Sequence, residues 1–504
     1  MWPGIPPEDG SGGSLRETGL VEHRETVSSP APDGEIAVPA AAEGRPAWER
    51  LLPWALALVF AGLYATISVA RYHRLAVWSF DLGIYEQAVR HYASFQAPIV
   101  DLEGAGHNFL GDHWNPALAV FAPFYRLFPG PVTLLVGQAV VIALAVVPIT
   151  RAGMRHLGRW PGIAIGLAFG MSFGIQSAVD FDFHEVCLAV PLLAFALEAF
   201  LAGRWPVVVA WAAPLVLVKE DLGLTVAALG LVLVLVGARR WGLGLGLFGL
   251  ASFVLTIKVL IPHFTLDGGE SKTFLEASKS AAGESLARRL YDLPFEVVTS
   301  QPRAITVLLL LAVTAFLATQ SPLLILVLPT LGWRFLSTNQ NFWGQSYHYD
   351  LVLMPIVFAA LIDGVRRARR DSWQPLRWYA RAAPALALLI GLYLCTRYSF
   401  RGLVDPATYR ASPRAPAAER ILSKIPDGAT VETDLGLINK LPHRTRVFFL
   451  GNAAPVVPEF VLIANTAQNP AMADPVKFAT ILHPGTAYLL VRAEDGFTLV
   501  RRAS

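Results

Sequence analysis

The chain has 504 residues, of which 54% are hydrophobic and 16% are charged, and its mean hydropathy is +0.47. Soluble domains carry roughly 25% charged residues, so this composition excludes a single water-soluble enzyme core. The formal net charge of +3 is small and dispersed, which gives no indication of a nucleic-acid partner. Two cysteines, Cys187 and Cys395, lie in or beside apolar stretches, which excludes a disulfide framework and a cysteine-ligated zinc site.

The first 50 residues are rich in Pro, Gly, Ser and Glu and lack the apolar run of a signal peptide. They predict a disordered cytoplasmic tail over residues 1–50. The following part of the chain contains long apolar blocks, and about 18 or more uncharged residues are typical of a membrane span. Eleven spans are predicted, near residues 52–70, 131–150, 160–178, 186–203, 206–218, 222–237, 243–262, 303–319, 322–336, 350–365 and 383–399.

The arginines of the short loops fix the expected orientation. With the N-terminus in the cytoplasm, most of them fall on the inner side, including the RRARR cluster at residues 366–370. Residues 206–237 are too long for one span and too short for two full spans of about 20 residues each. We therefore predict two short helices that meet at a charged turn, Lys219, Glu220 and Asp221, near the outer face.

The composition changes after Phe400, where apolar blocks give way to short strand patterns. Residues 400–504 contain PDGATVETD, RTRVFFLG and PEFVLIAN, followed by two strands joined by a Glu-Asp-Gly turn. AAERILSKI and ADPVKFATIL are typical of helices between the strands. With eleven spans this region lies outside the cell. The sequence thus predicts an α-helical polytopic membrane protein with a small C-terminal extracytoplasmic α/β domain.

Asp, Glu and His gather in the predicted outer loops, whereas the inner loops carry mainly arginine. Ionisable groups beside hydrocarbon are costly and by default indicate a function. The candidate site residues are Asp81, Glu86, Asp180, Asp182, His184, Glu185, Lys219, Glu220, Asp221, His348 and Asp350.

Asp81 and Glu86 each have a structural alternative to a catalytic role. Asp81 could cap a helix that begins at Leu82, because Asp is a favoured N-cap residue. Glu86 could pair with Arg90 one turn later on the same helix.

The other acidic loops also allow two interpretations. Asp180, Asp182 and His184 could hold a divalent cation, since the two aspartates point the same way in an extended chain, or they could form a solvated turn. The charged turn at residues 219–221 could be an internally paired hairpin tip or a substrate site. His348 and Asp350 lie among aromatic residues, which suit either an interfacial belt or a sugar-binding surface.

Three motifs, SFDLGIYEQ, FDFHE and KEDLGL, follow one another in the outer loops. In these motifs the chain resembles an uncharacterised family of bacterial polytopic membrane proteins, described as a domain of unknown function and similar to the GT-C glycosyltransferases. The resemblance covers about residues 51–400. It implies a GT-C-like transmembrane domain over residues 51–399, with the α/β domain over residues 400–504 outside the membrane.

The resemblance also implies a catalytic acid. GT-C enzymes carry an acidic residue in a long outer loop soon after the first span, and Asp81 matches that position. Many members have two adjacent acids there, whereas Leu82 follows Asp81 in this chain and the next acid is Glu86. Asp81 is therefore the expected general base, and Glu86 is the alternative.

The expected reaction transfers a sugar from a polyprenyl-phosphate carrier to a hydroxyl group outside the membrane. The attacking hydroxyl needs a carboxylate within about 3 Å to accept its proton, and the transition state resembles an oxocarbenium ion. The departing lipid phosphate needs positive charge or a metal ion. Lys219 is the best-placed cation, and Lys272, Arg288 and Arg289 are weaker candidates.

The predicted function is thus that of a membrane glycosyltransferase in the cell envelope. Its expected partners are a polyprenyl-phosphate-linked sugar, a cell-envelope acceptor and membrane lipids. The sequence identifies no definite cofactor, and a divalent cation is an open alternative. A secondary transporter is the competing interpretation, because short helices interrupted by charge mark transporter binding sites. A non-catalytic membrane scaffold or receptor is a third interpretation.

Overall fold

A computed structural model describes residues 47–76, 79–265, 286–464 and 473–503. These residues belong to one compact unit, residues 42–504. Most of the predicted tail, residues 1–46, lies outside the described residues, and so does Lys272.

The described chain is mainly helical, with irregular loops and short 3-10 turns between the helices. Its first twelve helices are α1 Ala47–His73, α2 Asp81–Ala93, α3 Ala122–Leu127, α4 Pro131–Leu144, α5 Val146–Leu157, α6 Arg159–Gly170, α7 Phe173–Phe181, α8 Ala189–Leu201, α9 Trp205–Ala212, α10 Leu222–Leu235, α11 Arg239–Leu255 and α12 Ile261–Phe264. The helices that follow residue 285 are α13 Leu286–Thr299, α14 Gln301–Ala312, α15 Leu328–Leu336, α16 Leu353–Ala368, α17 Gln374–Cys395, α18 Ala415–Leu422 and α19 Pro475–Leu482.

Several of these helices are long and apolar enough to cross a membrane. Among the described residues five qualify, namely Trp48–His73, Pro131–Leu157, Arg159–Phe181, Arg239–Phe264 and Gln374–Cys395. A sixth candidate is the pair Ala287–Thr299 and Gln301–Ala312, which is bent by 78°. Shorter apolar helices add to this set, so the expected total of eleven spans stays a prediction.

Residues 206–237 are broken as the sequence predicts. Two short apolar helices, Trp205–Leu217 and Leu222–Leu235, flank the charged turn. The second of them packs tightly against α11, because Gly230 faces Gly242 and Gly246 with no room for a Cβ atom on Gly230. Small residues at such contacts let helix backbones approach closely.

The predicted span over residues 303–319 is wrong in its length. Helix α14 ends at Ala312, and the chain then turns through Ala315 and Phe316, which have φ angles of 46° and 60°. The segment 263–302, which the sequence predicts as a loop, contains helix α13. No glycine or proline marks the turn after Ala312.

Helix α16 forms the centre of the membrane region, since residues on all its sides are buried. Its one buried acid, Asp363, accepts hydrogen bonds from Ser321, Arg366 and Arg367. Part of the RRARR cluster therefore neutralises a carboxylate inside the helix bundle.

The C-terminal region forms the predicted small sheet. Its strands are β1 Thr430–Thr433, β2 Arg446–Phe449, β3 Phe460–Ile463, β4 Tyr488–Glu494 and β5 Phe497–Arg502, in the order β2-β1-β3-β5-β4. β1 pairs in parallel with β2 and β3, and β5 pairs antiparallel with β3 and β4. In the predicted turn, Asp495 and Gly496 both have positive φ, as a tight hairpin turn of type I′ requires.

Candidate active site

Asp81 is the first residue of helix α2, where its carboxylate meets two polar neighbours. Its Oδ2 lies 3.3 Å from Nε2 of His184 and accepts a hydrogen bond of 2.8 Å from Oγ of Ser79. The residue before the helix, Phe80, makes no side-chain cap. The alternative in which Asp81 caps a helix from Leu82 is therefore wrong, because Asp81 lies inside the helix and its side chain bonds elsewhere.

Glu185 forms the second charged centre, one residue beyond His184. The carboxylate is buried, and its Oε1 lies 3.0 Å from Nζ of Lys219. Its other oxygen accepts a hydrogen bond from the hydroxyl of Tyr85, which lies one turn after Asp81 on α2. The contact with Tyr85 therefore connects Glu185 to the helix that carries Asp81.

The charged turn at residues 219–221 directs its three side chains to three different partners. Lys219 contacts Glu185, while Glu220 accepts hydrogen bonds from the ring of His113 and the backbone amide of Trp114. Asp221 accepts a hydrogen bond of 2.9 Å from the indole of Trp333. The interpretation of this turn as an internally paired hairpin tip is wrong, since each group bonds to a distant segment.

His348 joins the site from the loop before helix α16. Its ring stacks on that of His184 with centroids 3.5 Å apart, and Phe181 stacks against both imidazoles. One small cavity is lined by Lys219 and Asp221 of the charged turn together with Trp333, His348 and Tyr349. His348 is buried, so it does not belong to a belt of side chains at the membrane surface.

The structure therefore brings together residues from four separate loops of the sequence. The set that shares direct contacts or one cavity comprises Asp81, Asp182, His184, Glu185, Lys219, Glu220, Asp221 and His348. Asp182 contributes through a 3.5 Å contact with the Ser79 hydroxyl and a 3.9 Å contact with Arg71.

Two predicted residues, Glu86 and Asp350, lie apart from these contacts, and a third, Asp180, is connected to them only through Arg71. Glu86 is fully buried, and its carboxylate accepts a hydrogen bond from Tyr125. Its predicted ion pair with Arg90 is absent from the described contacts, because Arg90 donates to the carbonyls of Pro442 and Thr445 instead. Asp350 forms a fully buried ion pair of 2.7 Å with Arg334. The half-exposed Asp180 lies 3.9 Å from Arg71.

The expected cation site at Asp180, Asp182 and His184 gains no support from the geometry. Asp180 lies in the last turn of helix α7 and not in an extended chain, so the prediction that an extended chain points the two aspartates the same way is wrong. Both aspartates face Arg71, whereas His184 faces Asp81. Within the described ranges no group of three or more His, Cys, Asp or Glu side chains could hold a metal ion.

Sequence reasoning missed several residues that shape the site. Gln138 is the clearest, because its amide donates to the carbonyl of Asp182 and accepts from the backbone amide of His184. These two hydrogen bonds fix the conformation of the turn that carries Asp182 and His184. An amide inside the apolar run VTLLVGQAVVIAL is an unusual polar group within a span, and that signal could have identified it. Ser79 and Tyr85, in the first motif, were also overlooked.

The charges of the site follow from these contacts. Burial raises the pKa of Asp81, but the hydrogen bond and charge of His184 outweigh it, so the pKa lies below its usual value. Burial also raises the pKa of Glu185, but the charges of Lys219 and then of His184 outweigh this effect and lower the pKa to about 2. The pKa of Lys219 is raised, because Glu185, Glu220 and Asp221 outweigh the effect of burial. At neutral pH the carboxylates of Asp81 and Glu185 are therefore ionised and the amine of Lys219 is protonated.

The C-terminal sheet contacts helix α2 directly. Gln87 donates a hydrogen bond of 2.9 Å to the carbonyl of Val447 in β2. Arg446 of the same strand forms two hydrogen bonds of 2.7 Å with Asp101 in the loop after α2. The helix with Asp81 at its first turn is therefore held between the membrane region and the C-terminal sheet.

A family described as a predicted membrane protein, DUF2079, matches residues 71–471, which is more than half of the chain. The chain belongs to this family. The three motifs from which the resemblance was inferred all lie within the matched residues, so that prediction is confirmed. None of the curated proteins matches the sequence.

The fold is similar to that of ArnT from Cupriavidus metallidurans bound to undecaprenyl phosphate. The TM-score is 0.52 and the identity 14%, over 89% of this chain and 97% of that chain. The apo state of ArnT gives a TM-score of 0.49 and 15% identity over the same shares of the two chains. This chain therefore has a mainly helical, ArnT-like fold with a small C-terminal sheet, which agrees with the architecture that the resemblance implies.

Proposed function

We propose that this protein is a GT-C-type glycosyltransferase that moves a sugar from a polyprenyl-phosphate carrier to an acceptor outside the membrane. Asp81 is the general base. The observation that carries the proposal is the environment of its carboxylate, which contacts His184 and Ser79 and is still 27% exposed. A general base must be unprotonated and accessible, and the lowered pKa of Asp81 and its exposure support both conditions.

The reaction follows from the chemistry of a lipid-phosphate donor. An acceptor hydroxyl attacks the anomeric carbon from the face opposite the phosphate, which inverts that centre. The new carbon–oxygen bond forms as the bond to the phosphate oxygen breaks, and the hydroxyl proton passes to the Asp81 carboxylate. Because the lipid phosphate is a good leaving group, no covalent nucleophile on the protein is needed.

Lys219 is the proposed cation for the departing phosphate. Its ammonium group has three N–H donors, and the contact with Glu185 requires one of them. A protonated amine beside the leaving oxygen stabilises the charge that develops there. Glu185 and Tyr85 hold Lys219 in place relative to α2, so that base and cation act on one substrate.

His184 and Ser79 are proposed as positioning residues, because each contacts the Asp81 carboxylate. The proposed carrier is supported by the similarity to ArnT, whose structure contains undecaprenyl phosphate. Because the C-terminal sheet lies next to α2, we propose that the acceptor approaches Asp81 from the side of this sheet.

The function is tested by comparing donors in proteoliposomes. We expect the purified protein to release polyprenyl phosphate from a polyprenyl-phosphate sugar when a cell-envelope extract supplies the acceptor. The control donors are nucleotide sugars with the same sugar, which should give no transfer. Transfer from the nucleotide sugar alone would exclude the proposed donor class, and uptake of free sugar without transfer would favour a transporter.

The proposed orientation is tested separately by cysteine labelling in intact cells. Ser423 is exposed in the C-terminal region, and Ser372 is exposed beside the RRARR cluster. A membrane-impermeant thiol reagent should label Ser423→Cys directly and Ser372→Cys only after permeabilisation. The reverse pattern would place the proposed site on the cytoplasmic side and contradict the localisation.

A further inference from the structure

A second polar site lies at the end of helix α1 that is remote from Asp81. It is a cavity between the first turns of α1 and the last turns of α5, lined by Glu49, Arg50, Trp54, Arg151, Met154 and Arg155. Trp54 and His73 are separated by roughly 28 Å along α1, at 1.5 Å per residue. This length is close to the hydrocarbon thickness of a bilayer, about 30 Å. The cavity and the candidate active site therefore lie at opposite membrane surfaces.

Two arginines of this cavity, Arg151 and Arg155, are held by Glu198, whose two carboxylate oxygens both have arginine partners. Glu198 accepts two hydrogen bonds from Arg151, of 3.0 and 2.5 Å, and lies 3.8 Å from Arg155. Glu49, the one acid among the lining residues, pairs with Arg159 at 3.2 Å. These pairs hold the guanidinium groups in position, while the positive charge around the cavity exceeds the negative charge.

Arg50 adds a further cation from the opposite wall. Across the parts of the chain that the structure describes, Arg50 takes part in no ion pair. Its side chain is exposed and lines the cavity together with Arg151 and Arg155. Three guanidinium groups around one opening form a binding site for a phosphate, because each offers several planar N–H donors.

The surroundings of the cavity are those of a lipid headgroup region. Three tryptophans around the cavity are about half exposed or more, namely Trp48, Trp54 and Trp160. Arg159 stacks on two of them, Trp48 and Trp160. Tryptophan is enriched at the membrane–water interface. Leu58, one turn after Trp54 on α1, is exposed and continues the same face toward the membrane interior.

We propose that this cavity binds the phosphate of an anionic phospholipid in the leaflet opposite the candidate active site. The guanidinium groups contact the phosphate, and the acyl chains lie along Trp54 and Leu58. Basic pockets between membrane helices on the cytoplasmic side are suited to such headgroups. The bound lipid ties α1 to α5 at one membrane surface. This site is independent of the proposed transferase activity.

The test measures lipid retention by native mass spectrometry after reconstitution with phosphatidylglycerol or phosphatidylcholine. The wild-type protein should retain phosphatidylglycerol in preference to phosphatidylcholine. Arg50→Gln/Arg155→Gln should weaken that retention about tenfold or more, given about 1 kcal/mol for each basic residue near an anionic surface. The control is Arg239→Gln/Arg240→Gln, which removes two exposed arginines from the first turn of α11 and should leave retention unchanged.

Each alternative has its own outcome. Equal loss in the control variant would indicate diffuse attraction to the membrane surface and overturn the site. Displacement of the lipid by millimolar inorganic phosphate would assign the cavity to a soluble phosphate and overturn the lipid source. Arg155→Gln also removes a contact with Glu198, so loss of lipid must be separated from a folding defect. Arg50→Glu serves this purpose, because it breaks no ion pair and should also lose the preference for phosphatidylglycerol. An equal retention of both lipids by the wild type would refute the proposal outright.

Discussion

Asp81 in the first turn of helix α2 and Glu86 in its second turn have opposite surroundings. Asp81 is partly exposed and contacts Ser79 and His184. Glu86 is fully buried, and one of its oxygens accepts a hydrogen bond from Tyr125 while the other has no described partner. Burial alone therefore does not identify a functional acid on this helix. The partners and the access of the carboxylate distinguish the two residues.

The same difference fixes the protonation state of each acid. The neighbours of Asp81 hold its pKa below the usual value despite burial. Burial dominates at Glu86 and raises its pKa to about 8. At neutral pH, Asp81 can accept a proton, whereas Glu86 already carries one. This contrast favours Asp81 over Glu86 as the general base.

The largest expected effect is that of Asp81→Asn. The change keeps the size of the side chain but removes the proton acceptor, and a positioned base contributes about 10²–10⁴-fold to the rate. We expect transfer from a polyprenyl-phosphate sugar to fall by that factor in proteoliposomes, with donor binding and melting temperature close to wild type. Glu86→Gln is the matched control on the same helix and should keep most of the activity. Loss of transfer in the control with near-normal transfer in Asp81→Asn would reverse the assignment.

A second large effect is expected where a buried charge loses its partner. Lys219→Met leaves the buried Glu185 without its cation, and breaking a buried ion pair costs about 3–5 kcal/mol. The melting temperature should drop markedly. Lys219→Met/Glu185→Gln should recover most of this stability, because no unpaired charge is left, yet it should not recover transfer. If the single variant melts like the wild type, the pair does not stabilise the fold.

The sequence predicted the local features of this molecule well. Patterns within short windows predict the break at residues 218–221 and the strands of the C-terminal sheet. They also reveal the clustering of acids in loops that the sequence assigns to one side of the membrane. Helical geometry also places Glu86 on a different side of the helix from Asp81, since each residue advances about 100°. These features depend on neighbours along the chain, which a single sequence reveals.

The remaining features depend on residues far apart in the chain. Lys219 binds Glu185 and not its own neighbours in the turn, and Arg446 binds Asp101 across more than 300 residues. No periodicity encodes such pairs. The end of α14 at Ala312 likewise lacks a local signal, because the apolar pattern continues to residue 319. These ion pairs and the end of α14 are determined by tertiary packing.

A third effect, which is gradual because it develops over several pH units, is expected from the pH dependence of stability at Glu86. The folded state keeps the proton up to about pH 8, whereas the unfolded state releases it near pH 4.5. The wild type is therefore most stable, with respect to this group, below pH 4.5 and loses stability as the pH rises to about 8. The loss is at most about 1.4 kcal/mol per pH unit. Glu86→Gln should gain melting temperature relative to wild type between pH 5 and pH 8. A constant difference across that range would show that Glu86 does not titrate abnormally.

The smallest effect concerns what holds the first turn of α2 in place. Arg446 is 43% exposed and bonds through two nitrogens to the buried Asp101, which follows α2 in the chain. Because the pair is partly solvated, we expect Arg446→Met to cost about 1 kcal/mol of stability and only a few-fold in transfer. The turnover rate should fall while donor affinity is kept, since Asp81 stays present but is held less firmly.

Charge reversal separates this positioning effect from a general loss of stability. Arg446→Asp and Asp101→Arg should each lower transfer and increase hydrogen exchange in residues 81–93, and the double variant should restore both. The matched control is Arg420→Glu, which breaks the more exposed pair with Glu494 inside the C-terminal region. It should leave hydrogen exchange in α2 unchanged. If the double reversal fails to restore exchange although the protein is folded, the Asp101–Arg446 pair does not hold the helix. The position of Asp81 would then depend on other contacts of α2, such as those of Gln87 and Arg90 with the C-terminal region.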